Sequence, residues 1–291
     1  MNAAERRRDL PGRDAIARKG WFVAHKWLLL RRVCQLGILA LFLVGPWFGV
    51  WIVKGNLSSS LVLDVLPLTD PYLLLQVLAA GFVPAATAVI GALTVAVFYF
   101  LAGGRVFCAW VCPVNMITDA AAWGRRRFSI QSNHAPDARS RFWLLAGTLV
   151  IAFITGSLAW EWVNPVSIAH RGLLFGMGAG LWFLAAVFLY DLFVAQRGWC
   201  GHLCPMGAFY SLLGKTALLR VSASRREECD DCLDCFAVCP EPRVIRPALK
   251  REGQESPIIL ASLCTTCGRC VDICGQKVFR LTHRFDQRSS S

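Results

Sequence analysis

The chain has 291 residues, 55% of them hydrophobic and only 17% charged, with 31 Lys and Arg against 19 Asp and Glu for a formal charge of +12. That balance excludes a disordered polymer and an ordinary soluble globule, and describes a protein held mostly in lipid. The basic excess gathers at the ends of apolar runs without a stripe of interleaved aromatics, so it reads as topology and anionic-lipid contact and excludes nucleic acid as a partner.

Residues 1–32 form a basic cytoplasmic segment with Arg6, Arg7, Arg8, Arg13, Arg18, Lys19, Lys26, Arg31 and Arg32. No small-residue cleavage site follows a short apolar region, so a removable signal peptide is not expected. Apolar runs at 33–53, 83–101, 142–160 and 173–193, the last with Asp191 as its only charge, are each long enough to cross a hydrocarbon core of about 30 Å as a helix. The expected fold class is membrane all-α: four transmembrane helices in two hairpins over 33–195, with a small α+β two-cluster ferredoxin-like domain at 221–285.

Between the first two runs, Asp64, Pro67, Asp70 and Pro71 interrupt segment 54–81 and argue against a fifth crossing. A short helix lying in the outer interface fits that segment. After the second run comes Cys108-Ala109-Trp110-Val111-Cys112-Pro113, with Arg105, Arg125, Arg126, Arg127, Arg139 and Arg141 around it. The next outer turn, Trp160-Glu161-Trp162-Val163-Asn164-Pro165, sets a carboxylate between two indoles. Gly172, Gly176 and Gly180 follow at spacings that allow close helix approach.

The fourth run leads into Cys200-Gly201-His202-Leu203-Cys204-Pro205 and a juxtamembrane linker, together 196–220. The two halves thus read as a duplication, and their CxxxCP elements bring Cys108, Cys112, Cys200 and Cys204 to one membrane face. Those thiols suit a third cluster, a redox-active thiol group, or buried packing with proline starting the next helix. Cys34 reads as a packing residue. Because the opposite loops offer only Lys54 and Arg171, the positive-inside rule puts both termini on the cytoplasmic side of a bacterial inner membrane.

Two CxxCxxCxxxC runs close the chain: Cys229, Cys232, Cys235 and Cys239, then Cys264, Cys267, Cys270 and Cys274. This spacing, written twice, is that of two [4Fe–4S] clusters, each run lending its fourth cysteine to the other cluster. The expected ligand sets are Cys229, Cys232, Cys235 and Cys274 for cluster 1, and Cys264, Cys267, Cys270 and Cys239 for cluster 2. A zinc ribbon would leave the extra cysteines without a role. With thirteen cysteines in a reducing compartment, no disulfide is expected. Residues 286–291 read as a disordered tail.

Clusters carry single electrons, and the lipid-soluble carrier of electrons and protons in a membrane is a quinol, so the residues suit transfer between the two. Oxidising a quinol needs a proton acceptor near its hydroxyls, for which Glu161 and Asp70 are the leading candidates, followed by Asp64 and His170. The alternatives are a redox assembly or maturation protein without quinol turnover, and an anchor whose clusters only fold the tail.

The run Gly45-Pro46-Trp47-Phe48-Gly49-Val50-Trp51, the loop 67–71, the turn 160–165, both CxxxCP elements and the paired ferredoxin runs together resemble the NapH family. These are ferredoxin-type membrane subunits encoded with periplasmic nitrate reductases, and the resemblance runs from about Gly20 to about Thr282. It implies a quinol dehydrogenase component, inactive alone, passing electrons towards a periplasmic ferredoxin partner, NapG, and nitrate reductase, with a cytoplasmic ferredoxin, NapF, nearby. No CxxCH haem signature occurs, which leaves the CxxxCP thiols as the inner step.

Overall fold

The computed structural model describes residues 11–286 except Met177 and Gln254. Arg6, Arg7, Arg8 and the expected tail beyond Asp286 therefore lie outside the described residues. Short helices α1 (Arg13–Lys19) and α2 (Trp21–Ala24) lead into α3 (Lys26–Phe48), which Gly49 ends in left-handed backbone. An antiparallel meander follows, β1 (Val53–Gly55), β2 (Ser59–Val62) and β3 (Leu66–Thr69), with Val53 opposite Val62 and Ser59 opposite Thr69.

The helical part continues through α4 (Pro71–Ala79), α5 (Ala86–Ala102), α6 (Val106–Trp110), α7 (Val114–Arg127), α8 (Ser140–Thr155), α9 (Ala159–Val163), α10 (Pro165–Phe175), α11 (Gly178–Leu189) and α12 (Pro205–Leu213). Two π-helical turns, Tyr190–Val194 and Trp199–Leu203, lie before α12. The C-terminal part holds β4 (Leu219–Ser222), α13 (Asp234–Val238), α14 (Ile245–Lys250), α15 (Arg269–Ile273) and β5 (Arg280–His283), with β4 and β5 paired antiparallel.

Four transmembrane helices in two hairpins are not what the chain builds. Among the described residues, only α3 is long and apolar enough to cross a membrane: its 23 residues rise about 35 Å. Helices α5 and α8, with 17 and 16 residues, reach only about 25 Å, short of the roughly 30 Å core. The cause is local. Gly103 (φ 124°) and Gly156 (φ 60°) end α5 and α8, and left-handed backbone at Gly176 and Gly178 divides the fourth run. Nor is the helical part all-α: segment 54–81 forms most of the meander before it becomes helical at Pro71.

Two apolar cores form. One gathers Tyr72, Tyr99, Phe107, Leu145, Trp160, Val166 and Tyr210 among the helices; the other gathers Val221, Ile245, Leu249, Ile259, Val278 and Phe279 around the ferredoxin runs. They are fastened together closely. The backbone N–H groups of Trp27 and Leu28 donate to the Asp272 carboxylate at 3.1 and 2.9 Å, so a C-terminal side chain satisfies the first turn of α3. Gly12 N–H donates to Asp234 at 2.9 Å, and Lys19 Nζ to the Val271 carbonyl at 2.9 Å.

Candidate iron–sulfur sites

Each ferredoxin run wraps a cavity. Cys229, Cys232, Cys235 and Cys274 line one, walled by Phe236, Leu249, Val278 and Phe279. Cys239, Cys264, Cys267 and Cys270 line another, walled by Val221, Val244, Ile245, Ile259 and Leu263. The fourth cysteine of each run therefore stands with the first three of the other. Among the described residues no three His, Cys, Asp or Glu side chains converge as a single ion requires; thiols spread around an apolar-walled space suit a larger group.

Both loops take the same backbone path. Asp231 and Leu233 flank Cys232 at φ 56° and 64°, and Thr266 and Gly268 flank Cys267 at φ 48° and 74°. Left-handed backbone at a leucine is unfavourable, whereas Gly268 takes the matching position in the second run at no such cost. A short helix follows in each run, α13 and α15, and the last cysteine ends it in extended backbone.

The charges around the two cavities differ. Beside the first are Asp230 and Asp231, with Lys250 paired to Asp231. Beside the second, Arg269 points a nitrogen to within 3.8 Å of Cys267 Sγ and donates to Asp119 at 2.6 and 2.7 Å. Arg32 and Arg197 also meet Asp119, at 2.5 and 2.8 Å, and Arg31 stands 3.6 Å away. Burial would raise the Asp119 carboxyl, but Arg269 and its neighbours outweigh burial and hold it well below the usual range. At Cys267 burial likewise raises the thiol, and Arg269 and Arg31 reverse the shift, whereas burial pushes Cys239, Cys264 and Cys270 up. A second junction joins Arg105 and Arg141 to Glu241 at 2.8 and 2.7 Å, with Arg105 also donating to the carbonyls of Leu263 and Cys200.

The CxxxCP elements end α6 and the second π-turn, where Pro113 and Pro205 open the next helices. Cys108, Cys112, Cys200 and Cys204 are drawn together: burial first, and then one another's charge, raise Cys112, Cys200 and Cys204, the last to about 12. Burial also raises Cys108, against Arg105. Burial thus keeps these thiols in the neutral form unless a cation draws off their protons. Cys34 is half-buried in α3.

Glu161 and Asp70 lie in one polar nest. Glu161 accepts from Ser167 Oγ at 2.6 Å, Asn164 Nδ2 at 3.0 Å and Ser58 Oγ at 3.4 Å. The Asp70 N–H bonds the Ser58 carbonyl at 2.8 Å, and its carboxylate caps α4 and accepts from Tyr210 Oη at 2.9 Å. Tyr210 stacks on Phe107, the neighbour of Cys108, with ring centroids 5.0 Å apart. His170 is buried with Nε2 lacking a partner, and Asp64 is an exposed partner of Lys54. Sequence reasoning missed Asp119, Glu241 and Tyr210; the only signals were an acid within a basic helix and an acid two places beyond Cys239.

Comparison with known proteins places the chain in a family and marks the CxxxCP segments. A family described as "4Fe-4S binding domain" matches residues 84–131 and 175–226, the segments that carry CxxxCP. The ferredoxin-type protein NapH of Escherichia coli is 50% identical over 289 residues, 99% of this chain and 100% of that one. The methylamine utilization ferredoxin-type protein MauN of Paracoccus denitrificans is 54% identical over 270 residues, 93% of this chain and 95% of that one. NapH of Haemophilus influenzae is 46% identical over 94% of this chain and 96% of its own. No solved structure matches. With its 4Fe–4S-binding segments and near full-length identity to these proteins, the chain belongs to the NapH and MauN family of ferredoxin-type electron-transport proteins.

Proposed function

We propose that the chain is a membrane-held subunit that takes electrons from quinol and delivers them towards a nitrate reductase system, as its resemblance to the NapH family implies. The observation that carries it is the sequence of sites on one axis of contacts. The Glu161 and Asp70 nest touches Tyr210, Tyr210 stacks beside Cys108, and Arg105 joins the Cys108 and Cys200 turn to Glu241 beside Cys239.

In this reading Cys229, Cys232, Cys235 and Cys274 hold one [4Fe–4S] cluster and Cys264, Cys267, Cys270 and Cys239 a second. The four CxxxCP cysteines hold a third, supported by the match of a 4Fe–4S-binding family to their segments. Bound clusters supply one-electron transfer. The protein's own residues do the rest: thiolates fix the centres, apolar walls exclude water, and Glu161 and Asp70 accept the protons that each quinol releases with its electrons. Helix α3 anchors the chain. Its basic start and the ferredoxin runs touch one another, which supports a common, cytoplasmic side for both.

The test is anaerobic. Clusters of the purified protein are reduced chemically, a menaquinone analogue is added, and reoxidation is followed by EPR beside Glu161→Gln. Saturable reoxidation, slowed at least tenfold in the variant, is expected on a loss of about 1.4 kcal/mol or more in barrier terms. Clusters that stay reduced in the presence of quinone would remove the quinol reading.

A further inference from the structure

Arg31 is wholly buried, yet Nε, Nη1 and Nη2 all lack a hydrogen-bond acceptor among the described residues. A buried guanidinium without acceptors is costly, and such groups are ordinarily satisfied by an anion. Asp119 does not suffice: at 3.6 Å from Arg31 it already serves Arg32, Arg197 and Arg269. Arg126 adds to the excess: it is half-buried nearby, and its Nη1 lacks an acceptor among the described residues. The group therefore carries more positive charge than the chain neutralises, and it borders the cavity lined by Cys239, Cys264, Cys267 and Cys270, reaching Cys267 through Arg269.

The other cavity has the opposite setting. Asp230 and Asp231 form part of its lining and both lie on the exposed side; of the cations about it, Lys250 is bound to Asp231 and Lys19, near Cys274, donates to the Val271 carbonyl. Adding an electron to a centre makes it more negative, which buried positive charge favours and neighbouring carboxylates oppose.

We propose that the arginines around Asp119 are positioning residues that set the reduction potential of the cluster held by Cys239, Cys264, Cys267 and Cys270 above that of the cluster held by Cys229, Cys232, Cys235 and Cys274. This rests on the reading above that both cavities hold clusters. Electrons shared between the two then reside on the inner one, nearer the CxxxCP turns.

The experiment is an EPR-monitored redox titration of the full chain in detergent, with iron and sulfide counted, on the wild type, Arg31→Gln and Arg31→Lys. Besides the wave of the CxxxCP centre, the wild type gives two reduction waves, one for each ferredoxin-type cluster, told apart by their loss in Cys232→Ser and Cys267→Ser. Arg31→Gln shifts the higher wave to lower potential and leaves the lower one in place, and Arg31→Lys restores most of the shift because the charge returns. Arg32→Gln, at a less buried member, gives the same shift in smaller size and stands in should Arg31→Gln fail to fold. Waves that stay put, or that move together, in a variant with full iron overturn the proposal while leaving the two clusters. A wild type without bound iron and sulfide overturns the cluster reading itself, and the proposal with it.

Discussion

At the scale of single residues, Asp70 combines a structural and a chemical role. Its carboxylate caps α4 while burial pushes its carboxyl up to about 7, against hydrogen bonds from Tyr72 N–H and Tyr210 Oη that act to lower it. The proton is held more tightly in the folded protein than in the unfolded chain. Asp70 thus contributes stability that is complete below an unfolded value near 3.8 and is lost as pH rises through about 7. Asp70→Asn keeps a capping oxygen and removes the titration. Melting temperature should then depend less on pH between about 5 and 8 in the variant than in the wild type, and parallel curves would assign that dependence to other groups. The ferredoxin cysteines stood out because they recur at spacings of a few residues, and the exchange of Cys239 and Cys274 that the spacing implies is the grouping around the two cavities. Asp119 and Tyr210 were not, since Asp119 acquires its meaning from Arg269, 150 positions away, and Tyr210 from Asp70, 140 positions away.

At the scale of elements, the helix ends decide the architecture. Hydropathy over 83–101 and 142–160 identified apolar helices correctly but could not read the glycine stops that shorten them, so two hairpins of full spans became shorter helices, α5 packed on β3 and α8 on α12. The meander was equally hidden, because Pro67 and Asp64 read as interruptions when Pro67 in fact stands in β3 opposite Leu61. Just beyond α5, Gly104 lets two chain segments meet: a Cβ there would lie 1.7 Å from the Tyr210 carbonyl oxygen and 2.6 Å from Gly214 N. Both obstacles are backbone and cannot turn aside. Gly104→Ala should cost about 3 kcal/mol or more, read as a fall in melting temperature. Gly147→Ala in α8, which meets nothing within 4 Å, should be neutral or slightly stabilising.

At the scale of the whole molecule, the helical and ferredoxin parts are joined by buried charge. Glu241 receives Arg105 and Arg141, both almost fully buried, so Glu241→Gln leaves two guanidiniums without their counter-charge. The expected loss is about 3–5 kcal/mol, concentrated at the junction. Hydrogen exchange should therefore rise around 105 and 241 before it rises within α11, and uniform exchange would mean that the two parts open as one. The sequence suggested a tail hung from a membrane bundle; the ion pairs that make it part of the body lie too far apart in the chain for periodicity or spacing to reveal.

The cap that Asp272 places on α3 has a consequence for how the protein is made. Leu28 leaves the ribosome 244 residues before the side chain that completes its first turn, an interval of roughly ten to fifty seconds at ordinary synthesis speeds. Throughout that interval the helix that anchors the protein has an unfinished end, and the segment from Gly12 to Lys19 has no C-terminal surface to lie on. Closure of the two ends comes last, when the loop between Cys264 and Cys274 takes its shape. Folding of the second ferredoxin run and completion of the first turn of α3 are thereby tied together, and a chain whose run stayed unfolded would be open to proteolysis at both ends.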